Sequence, residues 1–322
     1  MPEKTTADIL KTAISTTDIV TAGKLNTAQA KQFITYMQEE TEIFNLIQFK
    51  RMSTLHGVAY DLDTSRRMIR KGVEGVAPDN YGTIKIGQNE IDLAETILPF
   101  DITDQFKKEN IEQKMAATKI MKLMATQYGN DLQDLAINGD ANAQNTNASA
   151  AHYFDVTDDE LEFFTIYNGW IALLKNATDK HIVEETYNEA DGGYRRILRN
   201  TFKSLPSRWK KSKDLKIFTT WDVIEGYVYE LTGRITIMGD NKLLQGDNAP
   251  TFMGRKFVGV STMPEKTLLL SSPKNLAFGI FTDGIKTEYE RNARKRQDEY
   301  TVTADTGCQI ANYDSLVYTE FE

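Results

Sequence analysis

Asp305-Thr306-Gly307 is the first pattern in the chain with a possible chemistry, because the same triplet forms the core of aspartic proteases, where two carboxylates share a proton. A single-chain protease needs two such triplets and only one occurs, while a homodimeric protease would be far shorter than 322 residues. The triplet is therefore read as a turn between strands, which Asp and Gly both favour. Ser207-Arg208-Trp209-Lys210 and Ser271-Ser272-Pro273-Lys274 both fit Ser-x-x-Lys, yet the Ser-Asp-Asn and Lys-Thr-Gly partners of that enzyme class are missing. The histidines, His56, His152 and His181, are far apart in sequence, so no i, i+4 zinc pair exists. Neither a phosphate-binding Gly-x-x-x-x-Gly-Lys-[Ser/Thr] loop nor a Gly-x-Gly-x-x-Gly fingerprint is present. No catalytic, cofactor-binding or metal-ligating residues are assigned, and no enzymatic activity is expected.

Charge is more informative. The segment Tyr194 to Lys213 holds Arg195, Arg196, Arg199, Lys203, Arg208, Lys210, Lys211 and Lys213 and no acid. It carries +8 in a chain of net charge −8, leaving 30 basic against 46 acidic residues, −16, elsewhere. Tyr194, Phe202 and Trp209 are interleaved, which superficially suits nucleic-acid stacking. Acidic stretches such as Asp155 to Glu162, with five acids and no base, stand against it. Opposite charges on one chain can steer like copies together, and a solvated helix face is the plainer alternative. A second basic block, Arg291 to Arg296, and the charges Arg66, Arg67, Arg70 and Lys71 fit the same idea of self-association.

These residues need elements to hold them. The first twenty-odd residues, rich in Thr, Ser and Ala, read as an arm. A helix is expected after Asn26 or Thr27, with Ala30, Phe33, Ile34 and Met37 at helical spacing and Ile43, Phe44 and Ile47 following. From Val58 the period becomes two: Val58, Tyr60 and Leu62, then Ile84 and Ile86, then Ile91 and Leu93, around a turn-rich stretch from Lys71 to Gly82. This is a long hairpin with a wide tip. Two strands alone are marginal in water, so the excursion needs a surface to lie on, its own body or another subunit.

Asn110 to Ile137 is the strongest helix, with Asn110 as cap and a stripe of Ala117, Met121, Met124, Tyr128, Leu132 and Leu135. Asn138-Gly139 is expected to end it in left-handed geometry, before a low-complexity loop from Ala141 to Ala151. Beyond lie helices at Leu161–Leu174, Arg195–Leu205 and Val223–Leu231, and strands at Leu215–Thr219, Phe257–Val260 and Leu268–Leu270. That alternation suits a compact α/β unit. Ile285 to Phe321 is largely extended, with Tyr300, Val302 and Ala304 alternating.

Composition sets the outer bounds. One cysteine, Cys308, excludes an intrachain disulfide framework and a Cys-based zinc site. Mean hydropathy is −0.45 and no apolar run of ~20 residues occurs, so no membrane span is expected. Met1 to Ile14 lacks a secretory signal's apolar core. The expectation is a soluble protein of a reducing compartment whose net charge disfavours tight coating of nucleic acid.

The order of these parts resembles the major capsid proteins of tailed bacteriophages, the HK-ninety-seven-like fold shared with encapsulin shells. The resemblance runs from about Gly23 to the C-terminus. It rests on Gly23-Lys24-Leu25-Asn26 with a helix ending near Phe49-Lys50-Arg51-Met52, and on Ile97-Leu98-Pro99-Phe100-Asp101-Ile102-Thr103 leading into Glu109-Asn110-Ile111-Glu112. It rests also on Asp131-Leu132-Gln133-Asp134-Leu135-Ala136-Ile137-Asn138-Gly139-Asp140, Asn168-Gly169-Trp170, Gly233-Arg234 through Gly239-Asp240, and Ser272-Pro273-Lys274-Asn275-Leu276.

The resemblance implies an α+β chain in five segments. These are an N-terminal arm and its helix (1-53), an extended β-hairpin loop (54-98), a peripheral domain with a long spine helix (99-160), an axial α/β domain (161-285) and return strands of the peripheral domain (286-322). It implies pentamers and hexamers of the chain in an icosahedral shell, a virion location with assembly in the host bacterial cytoplasm, a portal, and packaged double-stranded DNA contacted weakly. About twenty residues precede Gly23, so a separate scaffolding protein is expected. Lys24, Arg66, Arg67, Arg70, Lys71, Arg195, Arg196 and Arg199 are the candidate subunit-interface residues. An encapsulin-like nanocompartment shell and a soluble α/β enzyme without a recognisable motif are the alternatives.

Overall fold

The computed structural model describes residues 34–38, 41–64, 69, 71, 74, 84–105, 113–143, 158–177, 181–189, 192–232 and 250–322. The expected arm, the hairpin tip, the Asn110 cap, most of the 141–151 loop and the Gly233–Asp240 segment lie outside these residues. Residues 34–38 are helical as the spacing suggests. The continuation differs: 42–46 form a turn, and Phe49 to Met52, expected as a helix end, lie in strand β1 (Gln48–Met52). Phe44 sits against Phe278 with ring centroids 4.6 Å apart, and β1 runs parallel to β10 (Leu276–Phe281) from Gln48↔Ala277 to Met52↔Phe281. A partner more than 220 residues away thus overrides the local helical spacing.

The first sheet is built around the long strand β12 (Gln297–Ile310). β4 (Ala94–Thr103) pairs along one side of it, from Thr103↔Gln297 to Ala94↔Thr306. On the other side β10 and β11 (Lys286–Asn292) follow one another. Asp305-Thr306-Gly307 lies inside β12 and is no turn; Gly307 is required because a Cβ there would fall 2.2 Å from the carbonyl oxygen of Asp92. One face of this sheet is covered by α1 (Gln113–Asn138), about 39 Å long at 1.5 Å per residue. Tyr128, Leu132 and Leu135 are buried in one core with Tyr300, Val302 and Ala304, as the stripe predicts.

Gly139 ends α1 for a reason other than the one expected. It is not among the glycines with positive φ. Its backbone instead crosses that of Gly169: Gly169 N–H donates to Gly139 O at 2.8 Å, and a Cβ on Gly169 would lie 2.8 Å from Gly139 N. The same crossing splits the helix expected over Leu161–Leu174 into α2 (Asp158–Phe164) and α3 (Trp170–Asn176).

The second sheet has six strands in the order β5 (Ile182–Glu185), β13 (Val317–Phe321), β9 (Thr267–Ser271), β6 (Lys216–Thr219), β8 (Arg255–Gly259) and β7 (Thr251–Phe252). Helices α4 (Gly193–Ser204) and α5 (Trp221–Thr232) cover one face, with Ile197, Leu198, Val223, Ile224 and Tyr227 packed on Ile217, Leu268, Leu270 and Val317. The opposite face, through Phe218, Leu269 and Tyr318, joins the core shared with α1, α3 and the first sheet. Sheet membership therefore departs from the expected segments. β10 falls within 161-285 yet belongs to the first sheet, and β13 falls within 286-322 yet belongs to the second.

Candidate assembly surfaces

The hairpin is the most distinctive projection. β2 (His56–Thr64) and β3 (Ile84–Asp92) pair antiparallel from His56↔Asp92 to Thr64↔Ile84 and with no other strand among the described residues. Its root is fastened: Asn89 Nδ2 donates to Ile310 O at 2.7 Å, Gln309 Nε2 donates to Glu90 O at 2.7 Å, and Ala59 and Ile91 pack with Met52, Ala277 and Ala311. Beyond the last anchored pair, Ala59↔Asn89, five further pairs carry the shaft about 17 Å outward. Lys71 and Ile69 are exposed. Arg66, Arg67 and Arg70, like Lys24, lie outside the described residues.

The +8 segment divides in two. Arg195, Arg199 and Lys203, at i, i+4 and i+8, form an exposed stripe on α4, and none forms an ion pair among the described residues. Of the remainder, Lys211 and Lys213 are also exposed, while Arg196, Arg208 and Lys210 bond within the subunit. Arg196 donates to Thr186 O at 2.5 Å and approaches Glu185 at 3.6 Å. Arg208 bonds Asp314 at 2.6 Å and lies over the Trp209 ring, Lys210 donates to Lys203 O, and Arg255 donates to Lys210 O. Tyr194, Phe202 and Trp209, whose spacing suggests base stacking, are packed against the core beneath α4 and α5. The sequence thus places Arg195, Arg196 and Arg199 together, and the fold separates Arg196 from the other two by its surroundings.

Helix α5 carries a surface that charge and spacing did not single out. Trp221, Glu225 and Tyr229 form a second exposed stripe at i, i+4 and i+8 with Asp222 beside it; Trp221 is 62% and Tyr229 79% exposed. The signal for it is the helical period itself, since these aromatics fall opposite Val223, Ile224 and Tyr227, which fill the buried face.

Beyond the hairpin root, which covers Ala277 and Gly307, the first sheet leaves part of one face open among the described residues. Asp101, Glu299 and Glu290 stand directly opposite one another on β4, β12 and β11, a row of three carboxylates. Side-chain bonds from Asn292 and Gln297 hold the Glu299 carboxyl below its ordinary range, with Lys295 at 3.4 Å adding to it. At the far end Arg291 bridges Asp104 and Asp298, each at 2.7 Å.

Nothing in these surfaces assembles a reaction centre. A cleft of about 550 Å³ is lined by Glu184, Glu185, Thr186, Arg196, Glu320, Phe321 and Glu322; two of its four acids are engaged, Glu185 by Arg196 and Glu320 by Lys175. Among the described residues no group of three His, Cys, Asp or Glu is placed to hold a metal ion. His56 lies on β2 bonded to Asp92, His181 precedes β5, and His152 is outside the described residues. Burial pushes the Cys308 thiol far up, and its S–H reaches Asn168 O at 3.2 Å. No helix among the described residues is long and apolar enough to cross a membrane.

No family model matches the sequence, and neither does any curated protein. Solved structures do. The chain is similar to a subunit of the satellite phage P4 procapsid including the size determination protein, at 12% identity and a TM-score of 0.72 over 95% of each chain. It is similar to the capsid protein of a native GTA particle, at 10% identity and 0.59 over 88% of this chain and 90% of that one. It is also similar to a chain of the holo-SrpI encapsulin complex from Synechococcus elongatus PCC 7942, at 11% identity and 0.52 over 86% and 85%. The architecture is that of shell-building proteins. In particular, the chain has the HK-ninety-seven-like fold of tailed-phage major capsid proteins.

Proposed function

We propose that the chain is the major capsid protein of a tailed bacteriophage, assembling through non-covalent contacts into the head shell around double-stranded DNA. The supporting observation is the likeness to the P4 procapsid subunit over 95% of both chains, together with a hairpin that has no second strand partner among the described residues of its own subunit. A hairpin shaft about 17 Å long, unpaired with any third strand among the described residues, gains a surface when it lies across a neighbour. Modest contacts suffice, because each subunit of a closed shell touches several others at once. The two sheets correspond to peripheral and axial lobes, with β10 and β13 exchanged between them relative to the linear segments. Lys24, Arg66, Arg67, Arg70, Lys71, Arg195 and Arg199 serve subunit contacts, whereas Arg196 supports its own subunit. A portal and a separate scaffolding protein complete the assembly, and a procapsid that includes a distinct size determination protein is in keeping with that division of labour. The site of action is the virion, reached by assembly in the host bacterial cytoplasm, and no catalytic activity is part of the role.

The likeness to the encapsulin chain supports a second reading, a nanocompartment shell that holds protein cargo. Electron microscopy of the purified protein, alone and with the product of a neighbouring scaffold gene, tests both. Closed shells, tubes or capsomer rings are expected, and a strictly monomeric particle under all assembly conditions would overturn both readings. Shells recovered from infected cells with duplex DNA inside decide for the capsid; shells holding an enzyme decide for the compartment.

A further inference from the structure

Two exposed stripes lie on the same helical layer of the six-stranded sheet. Arg195, Arg199 and Lys203 run along α4, and Trp221, Glu225 and Tyr229, with Asp222 beside them, run along α5. Each covers i to i+8, about 12 Å of helix. They point to different surroundings, because the two helices are already packed on each other through other residues. The Tyr194 ring fills the space beside Gly226, and Glu230 accepts from the backbone N–H of Arg195. α4 sits over β5 and β13 at one edge of the sheet, and α5 sits over β8 toward the other.

The chemistry of the two stripes is complementary. One offers three cations with no ion pair among the described residues. The other offers two carboxylates between two aromatic faces, the setting in which Arg forms both ion pairs and cation–π contacts. Trp221 is held in place because its indole rests against Gly259, where even a Cβ would fall 2.4 Å from the ring. A fixed, largely exposed Trp flanked by Tyr is the kind of anchor that dominates protein interfaces.

We infer that the α4 stripe of one copy docks on the α5 stripe of the next, a head-to-tail contact between copies of this chain. Different patches on one subunit meeting in this way generate rings when the rotation closes. The inference rests on the self-assembly reading and adds to it the surfaces that meet.

The test uses the full-length chain in three forms, with exposed positions chosen so that folding is undisturbed. Arg195→Glu/Arg199→Glu makes both stripes acidic, and Asp222→Arg/Glu225→Arg makes both basic. Each alone is expected to raise the concentration for half-maximal assembly at low salt by about fivefold or more, since each replaces attraction with repulsion. An equimolar mixture is expected to recover assembly of six-membered rings and open strings to within about twofold of wild type. In alternating copies every contact sets an acidic stripe against a basic one, in the original sense at every second contact and reversed between, whereas a five-membered ring keeps one like-charge contact. Tyr229→Ala, which changes no charge, is expected to weaken assembly by about fivefold. Unchanged assembly of either charge variant, or a mixture that fails to recover, overturns the docking while leaving self-assembly standing. Loss of duplex-DNA binding by Arg195→Glu/Arg199→Glu with assembly unchanged would assign the basic stripe to the genome instead, and likewise overturn it. Failure of the wild-type chain to assemble at all would overturn the underlying reading.

Discussion

Every residue of β9, from Thr267 to Ser271, is buried, whereas along β12 burial alternates residue by residue from Gln297 to Thr306. The two strands are the inner members of two sheets that solve the burial problem differently. The six-stranded sheet is covered by α4 and α5 on one face and by the common core on the other, so the side chains of its inner strand β9 are buried in both orientations. The first sheet is covered by α1 on one face; on the other the hairpin root covers the end at Ala277, Gly279 and Gly307, and the remainder presents Thr301, Thr303, Glu299, Asp101 and Glu290 outward. The consequence for function lies in what remains available to a neighbour. In one lobe the outer surface is helical and carries the two charged stripes. In the other it is the sheet itself, with the root of the hairpin packed over Ala277 and Gly307 at one end of it.

The comparison is broken most directly in the core. Phe218→Ala removes a fully buried ring from the doubly covered sheet and is expected to cost about 3–5 kcal/mol. Ile97→Ala on the open face, where the side chain is 59% exposed, is expected to change stability by less than about 0.5 kcal/mol. Urea unfolding of both variants measures the contrast, and equal losses would show that the open face is covered after all. The backbone crossing between the end of α1 and the start of α3 comes next. Gly169→Ala sets a methyl 2.8 Å from Gly139 N and Ile137 O, neither of which is a flexible side chain, and a loss of at least about 2 kcal/mol in the same urea titration is expected. A smaller effect follows from the hydroxyl pair between α4 and β13. Thr319 and Thr201 are buried with their Oγ1 atoms 2.7 Å apart, and Thr201 also donates to Ile197 O. Thr319→Val is expected to cost about 1 kcal/mol, with a double-mutant cycle against Thr201→Val showing that the cost is shared.

The same contrast explains which elements the sequence alone makes legible. β12 is legible because an open face enforces period two: Tyr300, Val302 and Ala304 must face α1 while Thr301 and Thr303 need not. β10 is not, since Leu276-Ala277-Phe278-Gly279-Ile280-Phe281 is apolar throughout and period alone cannot tell a buried strand from a helix. β1 is concealed because Phe44 and Ile47 keep helical spacing, while the strand that follows owes its state to β10. Gly139 has the sequence of a helix stop, and its actual partner, Gly169, lies thirty residues on. Among the charged residues, the +8 segment is visible as composition. Which of its members face out is not, because the acceptors of Arg196, Arg208 and Lys210 are supplied by distant carbonyls and by Asp314. The α5 stripe is hidden for a related reason: a helix apolar on two faces reads as buried, and only the packed sheet shows which face is exposed.

The smallest expected effect separates two neighbours in a single row. Glu299 and Glu290 stand opposite each other on the open face, yet their surroundings differ. Glu299 accepts from Asn292 and Gln297, each at 3.1 Å, while Glu290 has no such donor among the described residues. Because the folded state holds the Glu299 carboxyl below its ordinary range, its contribution is present above the unfolded pKa and is lost as pH falls through the lower folded value. Glu299→Gln is therefore expected to lower Tm at pH 7, with the deficit closing as pH drops below about 4. Glu290→Gln should act in the other direction, raising Tm by about 1 °C at low salt through relief of like-charge repulsion across the row. That gain should vanish toward about 1 M salt, where the screening length falls to about 3 Å. Thermal melts of the two variants at both pH values and both salt levels check the pair, and a shared sign at pH 7 would mean that the row behaves as one acidic patch rather than as one satisfied carboxylate beside an unsatisfied one.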